Sequence, residues 1–318
     1  MNSERIFRNI LAALSPQHVL GALWNEMTDP VRNRAEAVRD PDGKIRVHRD
    51  ITYIESERDA RLDLYRAESD KLQPVVFYIH GGNFLSGDKK YRRGLCTWLA
   101  KTGACVVNVN YGMAPKYDFR ESLDMLCRAA DWVADHAAEY RMDPERVMVA
   151  ADSAGAYYGL FLLEIATNGN LAYRLGIQPP KLKFAGALFQ CGFYDLEMLI
   201  HLPVLGRPLG ILTQGTMGAA KSSFDAHPDK ELCSPVNFVN EEFPRKIFLS
   251  HAKHDYIAHG QTRKLKLMLD RAGVPYEEYC ATSPIRRHLF MLQWSGGQCA
   301  ENNRRVQNFV TRFVNGED

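Results

Sequence analysis

From position 75 onward the chain alternates short, unbroken apolar runs with longer stretches whose apolar residues recur at helical spacing. The runs 75–79, 104–109, 146–150, 184–190, 246–250 and 276–280 read as strands. Between and after them, 95–101, 119–139, 154–167, 257–272 and 300–314 read as helices. In the second of these, Leu123, Leu126, Cys127, Ala130, Val133 and Ala137 mark one face. Continuous apolar strands alternating with helices predict an α/β fold, a mostly parallel sheet covered by helices on both faces. Ahead of it, 45–54 and 61–66 alternate apolar and polar positions as a half-buried hairpin does.

Two regions break this rhythm. Residues 1–40 carry Ile6, Ile10, Leu11, Leu14, Val19, Leu20, Leu23 and Trp24 at helix-like spacing, closed by the turn signal Asp40-Pro41-Asp42-Gly43. Residues 194–235 are rich in Leu, Gly and Pro and fit no sheet crossover, so an insertion of that length reads as an element covering a substrate.

Composition narrows the partners. With 318 residues, 46% hydrophobic and 25% charged, the chain is an ordinary globular one. A net charge of +2 gives no reason to expect nucleic acid, and the basic run Lys89-Lys90-Tyr91-Arg92-Arg93 reads as a solvated face. The seven cysteines are scattered without a C-x-x-C pair, which argues for a reducing compartment rather than a disulfide framework. No stretch approaches the roughly 18 apolar residues of a membrane span, and the amino terminus lacks the long apolar run of a secretory signal. The expectation is a cytoplasmic protein.

The chemistry lies at the ends of two of these strands. Val147-Met148-Val149-Ala150-Ala151-Asp152-Ser153-Ala154-Gly155 runs from a strand through small residues into a helix, the form of a turn that pushes a serine hydroxyl into a cleft. Taken alone the motif is weak, since Ser153 could equally cap the helix that follows. Alanine at 151, where glycine is usual, carries some steric cost. Upstream, strand 75–79 ends in His80-Gly81-Gly82-Asn83, which can expose backbone N–H groups. Gly81, Gly82 and Asn83, with Ala154, are the candidate donors to an oxyanion. Asn83 suits the place because asparagine tolerates left-handed backbone angles.

A serine nucleophile needs a base and an orienting acid. Asp255 follows strand 246–250 and His288 follows strand 276–280, in the serine–acid–histidine order of the α/β-hydrolase arrangement. His251, His254 and His259 are rivals for the base, but they share one loop with the acid. No second ligand-rich segment accompanies these three histidines, so no metal is expected. Phe84, Tyr111 and Asp152 are the candidate substrate-binding residues.

From Phe77 to Phe290 the chain resembles the hormone-sensitive-lipase-like carboxylesterases of the α/β-hydrolase superfamily. The family's H-G-G-G-F-x-x-G-D is matched by 80–88, Y-R-L-A-P-E is echoed by 111–116, and G-D-S-A-G-G is matched by 151–156. Ser234-Pro235, Asp255-Tyr256-Ile257 and His288-Leu289-Phe290 follow in the family's order. Gly112 and Lys116 replace an arginine and a glutamate, so an internal ion pair is expected to be lost as a unit. His259 stands where a second aspartate is common.

The resemblance implies one α/β-hydrolase domain over 1–318, with a cap from 1–40 and 194–235. It also implies a serine carboxylesterase for short acyl chains, acting on a small-molecule ester without metal or organic cofactor, and a possible homodimer. The same triad would serve an arylformamidase or amidase, or a deacetylase of acetylated sugars or natural products. A non-catalytic ligand receptor is disfavoured, because Ser153, Asp255 and His288 are all present.

Overall fold

The computed structural model describes residues 40–114, 116–200, 230–294 and 296–317. The arm 1–39 and the stretch 201–229, and with them most of the expected cap, lie outside the described residues.

One sheet of eight strands organises the rest. In chain order these are β1 (Ile45–Thr52), β2 (Arg61–Ala67), β3 (Gln73–Ile79), β4 (Cys105–Val109), β5 (Met142–Asp152), β6 (Gly186–Gln190), β7 (Lys246–Ala252) and β8 (Glu277–Ala281). Across the sheet the order is β1-β2-β4-β3-β5-β6-β7-β8. The first two pairings, β1 with β2 and β2 with β4, are antiparallel; the others are parallel. Parallel neighbours need crossovers, and helices supply them: α1 (Arg93–Ala100), α2 (Phe119–Asp135), α3 (Ala154–Thr167), the short α4 (Gly169–Leu175) and α5 (Leu196–Ile200), then α6 (Gln261–Arg271). The last helix, α7 (Gly297–Asn315), follows β8.

The unbroken apolar strands are explained by two cores on opposite faces. Successive side chains of a strand point to opposite sides. Val75, Phe77 and Ile79 of β3 therefore join Val107, Val149 and the inner faces of α2 and α3 in one cluster. Val76 and Tyr78 join Val106, Met148 and Phe248, under Leu95 and Leu99 of α1 and Phe309 and Phe313 of α7, in the other. Asp118 and Glu121 close a reciprocal capping box at the start of α2. Helix α3 is buried on nearly every side, which is why its sequence is apolar all round rather than striped.

Two of the boundaries that differ from expectation have a visible cause, and one short helix was not expected. Strand β5 begins at Met142 and runs through Pro144, because Gln73 and Pro74 pair with Met142 and Asp143 ahead of a register shift. Helix α6 begins at Gln261 rather than 257, since the N–H groups of Ile257 and Ala258 turn back onto the Asp255 carboxylate. Helix α4 gave no sequence signal of its own. Among the described residues no helix is long and apolar enough to cross a membrane.

Helix α3 leaves β5 at a sharp angle and passes close beneath the end of β3. A side-chain carbon on Gly155 would stand 2.2 Å from the Ile79 carbonyl oxygen and 2.7 Å from that of His80. Gly155→Ala should therefore cost at least about 2 kcal/mol in urea unfolding. Gly169→Ala, where nothing lies within 4 Å, should lose no stability.

Candidate active site

Strands β3, β5, β7 and β8 all run in one direction, so the segments that follow them gather at one edge of the sheet. Ser153 follows β5 with φ +53 and ψ −124, a backbone state that costs a non-glycine residue of order 1–3 kcal/mol. Bonds on both sides hold it: Ser153 N–H donates to Gln190 O at 3.0 Å, and Phe193 N–H donates to Ser153 O at 3.2 Å. Its hydroxyl makes no cap bond to α3. It lies instead 2.8 Å from His288 Nε2.

The imidazole is held from its other nitrogen. His288 Nδ1 is 2.8 Å from Asp255 Oδ2, while Asp255 Oδ1 accepts the N–H groups of Ile257 (3.0 Å) and Ala258 (2.9 Å). Burial raises the Asp255 pKa. The bond and charge of His288, with the two backbone N–H groups, outweigh burial and leave it below the ordinary carboxylate value. Phe193 stacks on the His288 ring at 5.8 Å and 15°. Of the rival histidines, His251 turns its Nε2 to Glu278 Oε1 at 2.8 Å.

The glycine loop is tied to the serine turn through Asp152. Its Oδ1 accepts Tyr78 OH (2.6 Å) and Arg92 Nε (2.8 Å); its Oδ2 accepts Arg92 Nη2 (2.6 Å) and Gly81 N–H (3.2 Å). Each oxygen thus has two donors, which exhausts the carboxylate. Burial raises its pKa, but the Arg92 charge and bonds more than reverse this, so Asp152 is held ionised.

These contacts correct two of the assignments made from sequence, Gly81 and Asp152, and enclose two more, Tyr111 and Phe84. The Gly81 N–H is spent on Asp152, so it is not an oxyanion donor; the need for glycine there is space, since a Cβ would stand 2.8 Å from Ser153 Cβ. Asp152, fully buried and saturated with donors, has nothing left for a substrate. Tyr111 is buried too: it stacks on His80 at 4.9 Å and donates its hydroxyl to His80 O at 2.8 Å. Phe84 is buried against Tyr157, Tyr158 and Phe193 and backs the site rather than lining an open surface.

The remaining candidate donors keep their N–H groups free of partners among the described residues. Gly82 O accepts Leu85 N–H (3.1 Å) and Ser86 N–H (2.9 Å) in so tight a turn that a Cβ on Gly82 would fall on Ser86 O. Asn83 and Phe84 have φ +55 and +66. Ala154 opens α3, where no earlier turn supplies an acceptor.

The basic run is the residue pattern that sequence reasoning misjudged. Lys89 and Arg92 are buried, the first bonded to Asp63 and, at 2.7 Å, to Asp50, the second to Asp152. Their spacing along Lys89–Arg92 places both on the inner side of one 3₁₀ turn, while charge alone reads as solvated. The departures at 112 and 116 are also filled. A Cβ on Gly112 would stand 2.5 Å from the Tyr117 ring, which occupies that volume, and Lys116 pairs with Asp59.

Comparisons with known proteins agree with this architecture. The sequence pattern of a family described as alpha/beta hydrolase fold matches residues 76–279. The chain is 27% identical over 276 residues to a Mycobacterium tuberculosis protein named probable carboxylic ester hydrolase LipM, covering 82% of this chain and 60% of that one. It is 34% identical over 180 residues to mouse arylacetamide deacetylase, covering 50% of this chain and 42% of that one. The chain spans about three fifths of the length of the first of these curated relatives. Among solved structures, an inhibited esterase B from Lactobacillus rhamnosis superposes with a TM-score of 0.78 at 18% identity, covering 94% of this chain and 97% of that one; at that identity the likeness concerns the fold.

Two expectations concern the buried carboxylate. Arg92→Gln should cost about 3–5 kcal/mol in urea unfolding, because it strands the Asp152 charge. Asp152 has a folded pKa below its unfolded value of about 3.9, so its contribution is complete above that pH and is lost as pH falls through the lowered folded value. Asp152→Asn should flatten that acid limb of the stability profile.

Proposed function

Because the chain belongs to this α/β-hydrolase family, we propose that it is a serine carboxylesterase that cleaves short-chain acyl esters through an acyl-enzyme. The observation that carries this reading is the unbroken line from Asp255 Oδ2 through His288 to Ser153 Oγ, with 2.8 Å at each step, beside the N–H groups of Gly82, Asn83 and Ala154.

In that reading His288 Nε2 takes the hydroxyl proton as Ser153 Oγ attacks the ester carbonyl. Asp255 keeps the Nδ1–H tautomer and balances the imidazolium that forms. The negative charge on the former carbonyl oxygen meets the Gly82, Asn83 and Ala154 N–H groups, each worth about 3–4 kcal/mol when already in place. The same imidazole returns the proton to the leaving alcohol, and water then repeats the sequence on the acyl-serine. The buried aromatic group Phe84, Tyr157, Tyr158 and Phe193 packs beside His288, which supports a shallow acyl site and short chains.

A second reading, removal of acetyl groups from amides or acetylated natural products, has the likeness to mouse arylacetamide deacetylase in its favour. It uses the same residues and differs in the leaving group.

Fluorophosphonate labelling should fall on Ser153, and Ser153→Ala should lose both label and turnover. Asp255→Asn should lower kcat about 10⁴-fold by leaving the imidazole in the wrong tautomer. A panel of p-nitrophenyl esters should show turnover falling with acyl length. Turnover restricted to N-acetyl or N-formyl arylamines would favour the second reading, and an unlabelled Ser153 would remove both.

A further inference from the structure

Beside the His288–Asp255 pair lies a group that ester hydrolysis does not use. Cys191, the residue after β6, has φ +50, and its N–H donates to Ser250 O at 2.7 Å. The backbone of Leu289 and Phe290, immediately after His288, adjoins its sulfur. The Cys191 sulfur, an Asp255 carboxylate oxygen and a His288 ring nitrogen all lie within 4.8 Å of one another. The thiol is fully buried, and of the three only the imidazole has appreciable exposure, at 14%.

We propose that Cys191, Asp255 and His288 form an inhibitory site for a thiophilic divalent cation of the Zn²⁺ or Cd²⁺ class. Binding stands on the geometry; its effect on turnover rests on the hydrolase reading above. Zinc takes thiolate at about 2.3 Å and imidazole nitrogen or carboxylate oxygen at about 2.0–2.2 Å, so three such donors complete all but one tetrahedral position, which water fills. Two donors held at about 2.0 Å on a tetrahedral ion stand roughly 3.3 Å apart. The Nδ1–Oδ2 separation is 2.8 Å. The pair has to part by only about half an ångström for the ion to replace the proton between them.

The proton balance then explains inhibition. Burial, with the Asp255 charge beside it, pushes the Cys191 thiol pKa up, so the free protein holds it as S–H. On binding, the S–H bond breaks, the sulfur–metal bond forms and that proton leaves to solvent. The Nδ1 proton moves to Nε2, and Nδ1 gives its lone pair to the ion. One proton is released per ion, and the histidine remains neutral. Its Nε2, now carrying hydrogen, has no lone pair for the Ser153 hydroxyl.

The test is a Cd²⁺ titration of the full chain, followed by the ultraviolet sulfur-to-cadmium charge-transfer band, with ester turnover measured in parallel under Zn²⁺. The expected band saturates at one ion per chain, disappears in Cys191→Ser, and persists in Cys280→Ser and in Ser153→Ala. Zn²⁺ should inhibit turnover reversibly to a chelator, and Cys191→Ser should escape that inhibition. Apparent affinity should rise about tenfold per pH unit, as release of one proton requires. Cys191→Ala gives the same comparison should a hydroxyl disturb the buried position. A band or an inhibition of undiminished strength in both Cys191 variants overturns the proposal, and so does the absence of a band in the unaltered chain. A Cys191-dependent band in a chain that turns over no ester keeps the site and removes the hydrolase reading instead.

Discussion

The carboxylate of Asp152 joins segments that are far apart in sequence: the end of β3 through Tyr78 and Gly81, the turn before α1 through Arg92, and the serine turn to which it belongs. A buried charge is tolerated only when its lone pairs are met, and here Arg92 supplies both a counter-charge and a two-pronged donor of matching geometry. Because Gly81 hangs from the same oxygen as one Arg92 nitrogen, the loop bearing Gly82 and Asn83 cannot shift without disturbing the ion pair. Low local polarity strengthens each of these bonds. The spacing between the serine hydroxyl and the candidate N–H donors is thereby tied to a structural contact outside the proposed reaction path.

Strain sits next to this anchor. Ser153 and Cys191 end neighbouring strands β5 and β6, and both carry positive φ. Leu289, just past the proposed base, does so as well. Such states persist where the surroundings over-determine them. Around Ser153 that surrounding is the buried helix α3 together with the close approach that Gly155 allows. Gly159 has a similar part: a Cβ there would stand 2.9 Å from Phe189 and 3.1 Å from Val149.

Strand and helix positions were legible because a parallel sheet between two helix layers demands unbroken apolar runs, and 75–79 and 104–109 are such runs. The meeting of Ser153, His288 and Asp255 was legible because each follows a strand that ends at the same edge. Misjudgements arose where chemistry depends on what faces a side chain. Lys89 and Arg92 read as solvated because charge normally is, yet Asp63 and Asp152 wait for them inside. Asp152 adjoins Ser153 in its motif, yet the fold turns its carboxylate inward to Tyr78, Arg92 and Gly81.

Local pattern was enough to specify the layered architecture, the turn that bears Ser153 and the order of the three residues proposed to act together. Periodicity and turn chemistry are properties of neighbouring residues, so the chain states them directly. Partners for buried charges, the direction of each N–H in the glycine loop and the meeting of Cys191 with Asp255 and His288 were decided by tertiary packing. Those contacts join residues as far apart in sequence as Cys191 and His288. Only the folded sheet, by bringing the ends of its parallel strands to one edge, determines which side chain answers which.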